Sequence, residues 1–407
     1  MGSLGNIGVV FPQGFLASGV HTGVKHEQKD LCLISSEDVA VCAAAYTVNS
    51  VKAAPVLVSM SNLKGKASGI IINSGNANAL TGEGGFKNAR KMVRTYAELL
   101  CVDEELVGVA STGVIGRPLQ MGKVLPGIGV AFRDLNDTPQ AGTDAAEAIM
   151  TTDSFIKHCE KEVELSQGTV KIGGMAKGSG MIYPEMSVHH ATTLCFVTSD
   201  ALVHEKVLGK MLGHGLERSF NSISVDGDQS TNDTCMVLAN GASGVGPRTP
   251  KDLVKMQEGL TSILKSLAKM VAMDGEGAGK LITVHVDGAS DFKTAKLIAR
   301  RVATSNLVKS AMWGCDPNPG RIAAAVGSCS GKIDVNRMTV SLGHDGDTVK
   351  VIASGMVLES SIPKAREKIS SKEVKIDISL EQGHGSAVVW GCDLTPKYVK
   401  INGKYAT

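Results

Sequence analysis

Residues 174–198 read GMAKGSGMIYPEMSVHHATTLCFVT and hold several groups able to do chemistry. His189 and His190 stand out as imidazoles that titrate near neutral pH and can ligate metals. Neighbouring strand residues point to opposite faces, so the pair does not readily serve one metal ion, and no H-E-x-x-H or carboxylate cluster accompanies it. The preceding GGMAKGSG lacks the Gly-x4-Gly-Lys-Ser/Thr spacing of a phosphate loop. Lys177 therefore stands either in a plain turn or on a glycine-lined approach to an anion. ATTLCFVT has the composition of a buried strand, and on composition alone Thr192 and Thr193 are ordinary strand threonines. In VASTGVIGRP (109–118), Ser111, Thr112 and Gly113 end an apolar run. A hydroxyl and a glycine N–H at that point make either an oxyanion hole or a simple turn. VDGDQSTNDTC (225–235) carries Asp226, Asp228 and Asp233 without calcium-loop spacing and reads as a polar loop bonded within itself.

These groups need a scaffold. The chain has 407 residues, more than the ~250–300 that one hydrophobic core usually serves, so two packed lobes are expected. A hydrophobic share of 43% and a charged share of 20% describe a globular, water-soluble chain. A net charge of +2 without a dense basic block gives no electrostatic case for nucleic acid or an anionic membrane. The nine cysteines are scattered singly with no CxxC pair, which points to a reducing compartment rather than to disulfides or a zinc ribbon. The opening MGSLGNIGVVFPQGF lacks the pattern of a signal or transit peptide, and no apolar run reaches ~18 residues, so a cytoplasmic protein is expected.

Strands and helices alternate along the chain. Residues 68–80 read as a buried strand entering a Gly/Asn turn, and 86–100 as an amphipathic helix. A long helix starts at Thr249-Pro250, where threonine caps free N–H groups and proline suits the first turn. GEGAGK (275–280) stops it. A strand (281–288), a helix (291–303) and short strands beyond residue 335 follow, which makes a mixed α/β protein.

Ten segments in order carry a resemblance. They are PQGFLASGVHTGVK (12–25), NSGNANALTG (73–82), STGVIG (111–116), EAIMTTD (147–153), GGMAKGSGMIYPEM (173–186), ATTL (191–194), DGDQSTNDT (226–234), DGEGAGK (274–280), DPNPGRI (316–322) and INGKYAT (401–407). Together they resemble the ornithine acetyltransferase family, also called glutamate N-acetyltransferase or arginine biosynthesis bifunctional protein J, over essentially the whole length. The resemblance implies a layered α/β fold of the N-terminal-nucleophile kind with a second, smaller α/β lobe. It implies a precursor that cuts itself at Ala191–Thr192 into an α chain of 1–191 and a β chain of 192–407. The freed Thr192 would be the nucleophile, with Thr112 and Gly113 as the oxyanion hole. Substrate contacts would fall on Thr151, Lys177, Thr192, Glu276, Asn402 and Thr407. The implied substrates are N2-acetylornithine and glutamate, with no cofactor, acetyl-CoA as an optional second donor, and an α2β2 assembly.

Three departures stand against that pattern. PEMSVHHATTL holds about four residues more than the family usually has before its Ala-Thr bond, with Glu185 in place of the familiar Asn. Thr193 stands where Met is usual, and Pro319 where Trp is usual. Self-cleavage needs a strained, closely placed bond, so two alternatives stay open: an unprocessed homologue disabled by the extra residues, and a processed amidase or aminopeptidase with water as acceptor.

Overall fold

The computed structural model describes residues 7–183, 185–187, 193–329 and 333–404. Among these, strands form two sheets, each with its own core.

The first sheet is built around the 17-residue strand Leu31–Thr47. Its path runs Val107–Val114, Lys66–Asn76, Leu31–Thr47, Thr234–Ala239, Leu194–Ser199, Gly168–Lys177 and Lys157–Leu165. Phe15–Val20 and Met186–Ser187 also pair with Leu31–Thr47. The strand LCFVTS (Leu194–Ser199) is buried at every position, as expected of a central strand covered on both faces. It runs parallel to Thr234–Ala239 and antiparallel to Gly168–Lys177. Leu194 is opposite both Thr234 and Lys177, so the register alone brings the start of ATTLCFVT beside the lysine of GGMAKGSG.

Two helices cover one face of this sheet, Glu205–Glu217 and the long Pro250–Met273. Thr249 and Asp252 form a reciprocal capping box: the Thr249 hydroxyl accepts from the Asp252 N–H at 3.1 Å, and the Asp252 carboxylate accepts from the Thr249 N–H at 3.1 Å. Leu260, Ile263, Leu264, Leu267 and Val271 then face the core. Elsewhere Gly82–Leu100 and Met121–Arg133 pack through Met92, Val93, Tyr96, Val124 and Ile128.

The second sheet takes Ile223–Ser224, Leu281–Ala289 and the four longer or shorter strands between Thr339 and Ser379, together with Gly385–Cys392. Helix Phe292–Ala303 packs on it through Ala295, Ile298, Ala299 and Val302. The two-lobe expectation matches this arrangement. The expected fragments 1–191 and 192–407 both contribute to the first lobe. The first sheet draws strands from both sides of the 191/192 junction, so a cut there would leave a new chain end at the start of a central strand.

The long helix delivers the 274–280 loop to the first sheet, so its N-cap bears on the whole unit. Thr249→Ala is expected to lower stability by about 1 kcal/mol, read as an earlier urea midpoint with an unchanged denaturant slope.

Candidate active site

Thr112, Gly113, Thr151, Lys177, Glu276 and Asn402 line one cavity of about 180 Å³, together with Thr193, Asn232 and Asp233. Six of the expected site residues thus converge from five separate segments. Ala191, Thr192 and Thr407 lie outside the described residues, as do His189 and His190. Thr193 and Leu194, the first described residues after Thr192, are part of its lining.

The Thr112-Gly113 corner ends strand Val107–Val114, paired in parallel with Ser74 and Gly75. Gly113 has φ +131°, and a Cβ there would sit 2.3 Å from the Gly75 carbonyl carbon, so only glycine fits. Asn232 fastens this corner from the other side. Its side-chain amide donates to Ala77 O at 2.6 Å and to Ser111 O at 2.8 Å. The loop that reads as polar and self-bonded therefore reaches the site, and its Asn-Asp step positions the corner.

Thr193 is held on both sides. Its N–H donates to Asp233 Oδ1 at 2.5 Å, and its carbonyl accepts from the Thr234 N–H at 2.8 Å. Its φ of +110° is unusual for a β-branched residue, a strain on the order of 1–3 kcal/mol that the fixed surroundings must sustain. Its hydroxyl is buried with no hydrogen-bond partner among the described residues.

The polar walls carry opposite charges. Lys177 ends strand Gly168–Lys177, and its Nζ lies 3.8 Å from Asp153 Oδ2. Asp153 also accepts from the Thr151 N–H at 2.9 Å and the Gly178 N–H at 2.7 Å, so one carboxylate joins two segments of the lining, at 151 and at 177–178. Behind it lies Lys157, fully buried, with Nζ 2.7 Å from Asp153 Oδ1 and 2.6 Å from Asp274 Oδ2. Asp274 in turn accepts from the Ser154 N–H at 2.9 Å and from its hydroxyl. Burial pushes the Asp153 carboxyl up, but Lys177 and Lys157 outweigh it and hold it well below the ordinary carboxylate range.

Glu276 follows Asp274 by two residues. Its N–H donates to Ser179 O at 3.0 Å, and its carboxylate accepts from Asn402 Nδ2 at 2.8 Å. A Cβ on Gly180 would fall 2.5 Å from that carboxylate, so the second glycine of GSG makes room for it. Asn402 arrives on the helix Pro396–Asn402, whose N-cap Thr395 donates to Gly277 O at 2.7 Å.

An open groove adjoins the cavity at Gly113 and Thr151 and includes Lys25. Lys25 Nζ donates to Met150 O at 2.5 Å and Lys29 O at 2.9 Å. Burial, with Lys177 adding to it against the pull of Asp30, brings this ammonium down to about 8. Lys25, Asp153, Lys157 and Asp274 were not among the expected site residues. Asp153 and Asp274 end or begin quoted motifs, whereas Lys157 has no sequence signal of its own.

Such a cavity presents a threonine hydroxyl and a glycine N–H at one corner, with a cation and an anion on its walls. Residues 16–407 match the model of the ArgJ family. The chain is 45% identical to the arginine biosynthesis bifunctional protein ArgJ of Caldanaerobacter subterraneus, over 98% of each chain. It is 43% identical to the protein of that name from Bacillus subtilis, over 97% of this chain and 96% of the relative. A solved ornithine acetyltransferase from Mycobacterium tuberculosis, complexed with ornithine, is 36% identical and covers 44% of this chain and 96% of its own, with a TM-score of 0.40.

The buried ammonium gives a direct test. Asp153 has a folded pKa below its unfolded value of ~3.9. Its contribution is complete above that unfolded value and is lost as pH falls through the folded one. Lys157→Met leaves two buried carboxylates facing each other and is expected to cost about 3–5 kcal/mol at pH 7. Protonation relieves that repulsion in the variant while it breaks the ion pairs of the parent, so the stability gap read from urea midpoints should narrow as pH falls from 7 towards 4.

Proposed function

The chain belongs to the ArgJ family, and from that premise we infer that it is a self-cleaving acetyltransferase moving acetyl from N2-acetyl-L-ornithine to L-glutamate. The observation that carries this reading is the convergence of Thr112, Gly113, Lys177 and Glu276 on one cavity at the start of strand Leu194–Ser199.

In maturation, Thr192 Oγ adds to the Ala191 carbonyl carbon. The peptide C–N bond breaks, and the hydroxyl proton passes to the new amine. Water then hydrolyses the resulting ester, leaving an Ala191 carboxylate and a free Thr192 hydroxyl and α-amine. The amine has a reference pKa of ~7.7–8.0 and can act as base near neutrality, which removes the need for a histidine. The fragments so formed are residues 1–191 and 192–407.

In transfer, Thr192 Oγ gives its proton to its own α-amine and attacks the acetyl carbonyl of acetylornithine. The Thr112 hydroxyl and Gly113 N–H donate to the developing oxyanion. The amide C–N bond breaks, the proton goes to the departing ornithine amine, and an acetyl ester remains on Thr192. The neutral amine of glutamate attacks that ester, and the Thr192 hydroxyl is regenerated. Lys177 pairs with a substrate carboxylate and Glu276 with a substrate ammonium, Asn402 steadying Glu276. Thr151 and the terminal Thr407 complete the substrate contacts. Acetyl-CoA serves as a second donor to the same ester. We further propose a cytoplasmic enzyme without a resident cofactor, assembled as α2β2; among the described residues no helix is long and apolar enough to cross a membrane.

Denaturing mass spectrometry of purified protein should find fragments that meet at 191/192, and Thr192→Ala should stay a single 42.4 kDa chain without transfer activity. Thr112→Ala should lower kcat by about 10²–10³. With acetylornithine, glutamate should yield acetylglutamate. Free acetate with no acetylglutamate would establish the water-accepting alternative, and a parent chain that never cleaves would establish the inactive one.

A further inference from the structure

The chain upstream of Ala191 is fastened before it reaches that bond. The Tyr183 ring lies over the Arg300 guanidinium at 4.0 Å, and the Glu185 carboxylate accepts from Arg300 Nη1 at 3.3 Å. Arg300 stands on helix Phe292–Ala303, whose N-cap Asp291 accepts from the Thr294 N–H at 2.8 Å and whose apolar face is sunk in the core of the second lobe. The Arg300 side chain is 11% exposed and that of Glu185 56%, so a rigid, nearly buried cation captures a surface loop. One turn earlier on the same helix, Lys296 engages Glu217 at 2.6 Å, giving that nearby carboxylate a cation of its own. Directly after Glu185, Met186 and Ser187 pair with Thr47 and Tyr46 of the first sheet.

The other end of the stretch is fixed as well. Thr193 is held by Asp233 and Thr234 at φ +110°. Only five residues, 188–192, separate Ser187 from Thr193 in the sequence. Backbone strain persists only where the surroundings over-determine it. The strained residue here is Thr193, and it relaxes through whichever side of the chain is left free, so the upstream fastening matters as much as the downstream one.

We propose that Arg300 is a positioning residue for self-cleavage: by anchoring Tyr183 and Glu185 it holds the approach to the Ala191–Thr192 bond, so that the strain borne at Thr193 is not released. This rests on the self-cleavage reading above. The covalent step is the one already given, attack of Thr192 Oγ on the Ala191 carbonyl and hydrolysis of the ester by water. Arg300 takes no part in the proton transfers. Tyr183 and Glu185 lie before the bond and Arg300 after it, so the contact outlasts the cut and ties the two fragments.

The test follows cleavage of freshly synthesised full-length chain over time by denaturing gel and mass spectrometry. Arg300→Ala is expected to slow cleavage about tenfold and Glu185→Gln about twofold. Arg300→Lys, which keeps the charge, should fall between Arg300→Ala and the parent. Once fully cleaved, each variant should show the parent's kcat and KM for acetyl transfer, a separation that general misfolding would not give. Glu185→Gln changes an exposed side chain and so reads the contact even where Arg300→Ala folds poorly. Cleavage of both Arg300→Ala and Glu185→Gln at the parent rate overturns the proposal alone. Slower cleavage matched by an equal fall in kcat after cleavage also overturns it, whereas a parent chain that never cleaves overturns it together with the self-cleavage reading.

Discussion

The site depends on one buried ammonium. Lys157 is closed off from water between Asp153 and Asp274, and each carboxylate governs a different wall. Asp153 fixes Thr151, Lys177 and Gly178; Asp274 begins the loop that carries Glu276. An ammonium removed from water is costly unless its partners are close and fully bonded. Here the carboxylates meet backbone N–H groups and the Ser154 hydroxyl as well, which satisfies the remaining lone pairs. The cation of one wall and the anion of the other are therefore set at a fixed separation by a charge that never touches the cavity.

The second constraint is the register of the first sheet. Leu194 sits between Thr234 and Lys177, so the chain can enter this central strand only past Thr193. The left-handed backbone at Thr193 and its bond to Asp233 mark where the chain turns into the strand. Asn232, beside Asp233, ties the Thr112-Gly113 corner to the same point. Adjacent residues of one loop thus tie the Thr112-Gly113 corner to the strand entrance, which fixes the two relative to each other.

Much of this was legible in the sequence, for reasons that differ by element. Helix Pro250–Met273 announces itself through Thr249-Pro250 and a long apolar stripe, because capping and periodicity are local. Strand Lys66–Asn76 is marked by the β-branched run Ile70, Ile71 and Ile72 ahead of a Gly/Asn turn. Thr112, Gly113, Lys177 and Glu276 were accessible through ordered motifs, and Gly113 has a steric reason to be glycine. The Lys157 pairing was hidden because its partner Asp274 lies 117 positions away and Lys157 itself falls in an alternating strand where lysine suggests solvent. Asn232 and Asp233 looked like a loop bonding to itself because sequence does not show which distant backbone a loop faces. Glu185 gives no sequence sign of its partner either, because Arg300 lies 115 positions beyond it on a helix of the other lobe.

The central claim is that Thr192 carries the acetyl group between donor and acceptor. Mass spectrometry of the cleaved protein after exposure to acetylornithine alone tests it most directly. The account predicts that fragment 192–407 becomes one acetyl group heavier, that the modification maps to Thr192, and that adding glutamate removes it with formation of acetylglutamate. Acetyl transfer that proceeds while Thr192 remains unmodified, or an acetyl group located on any other residue, would contradict it.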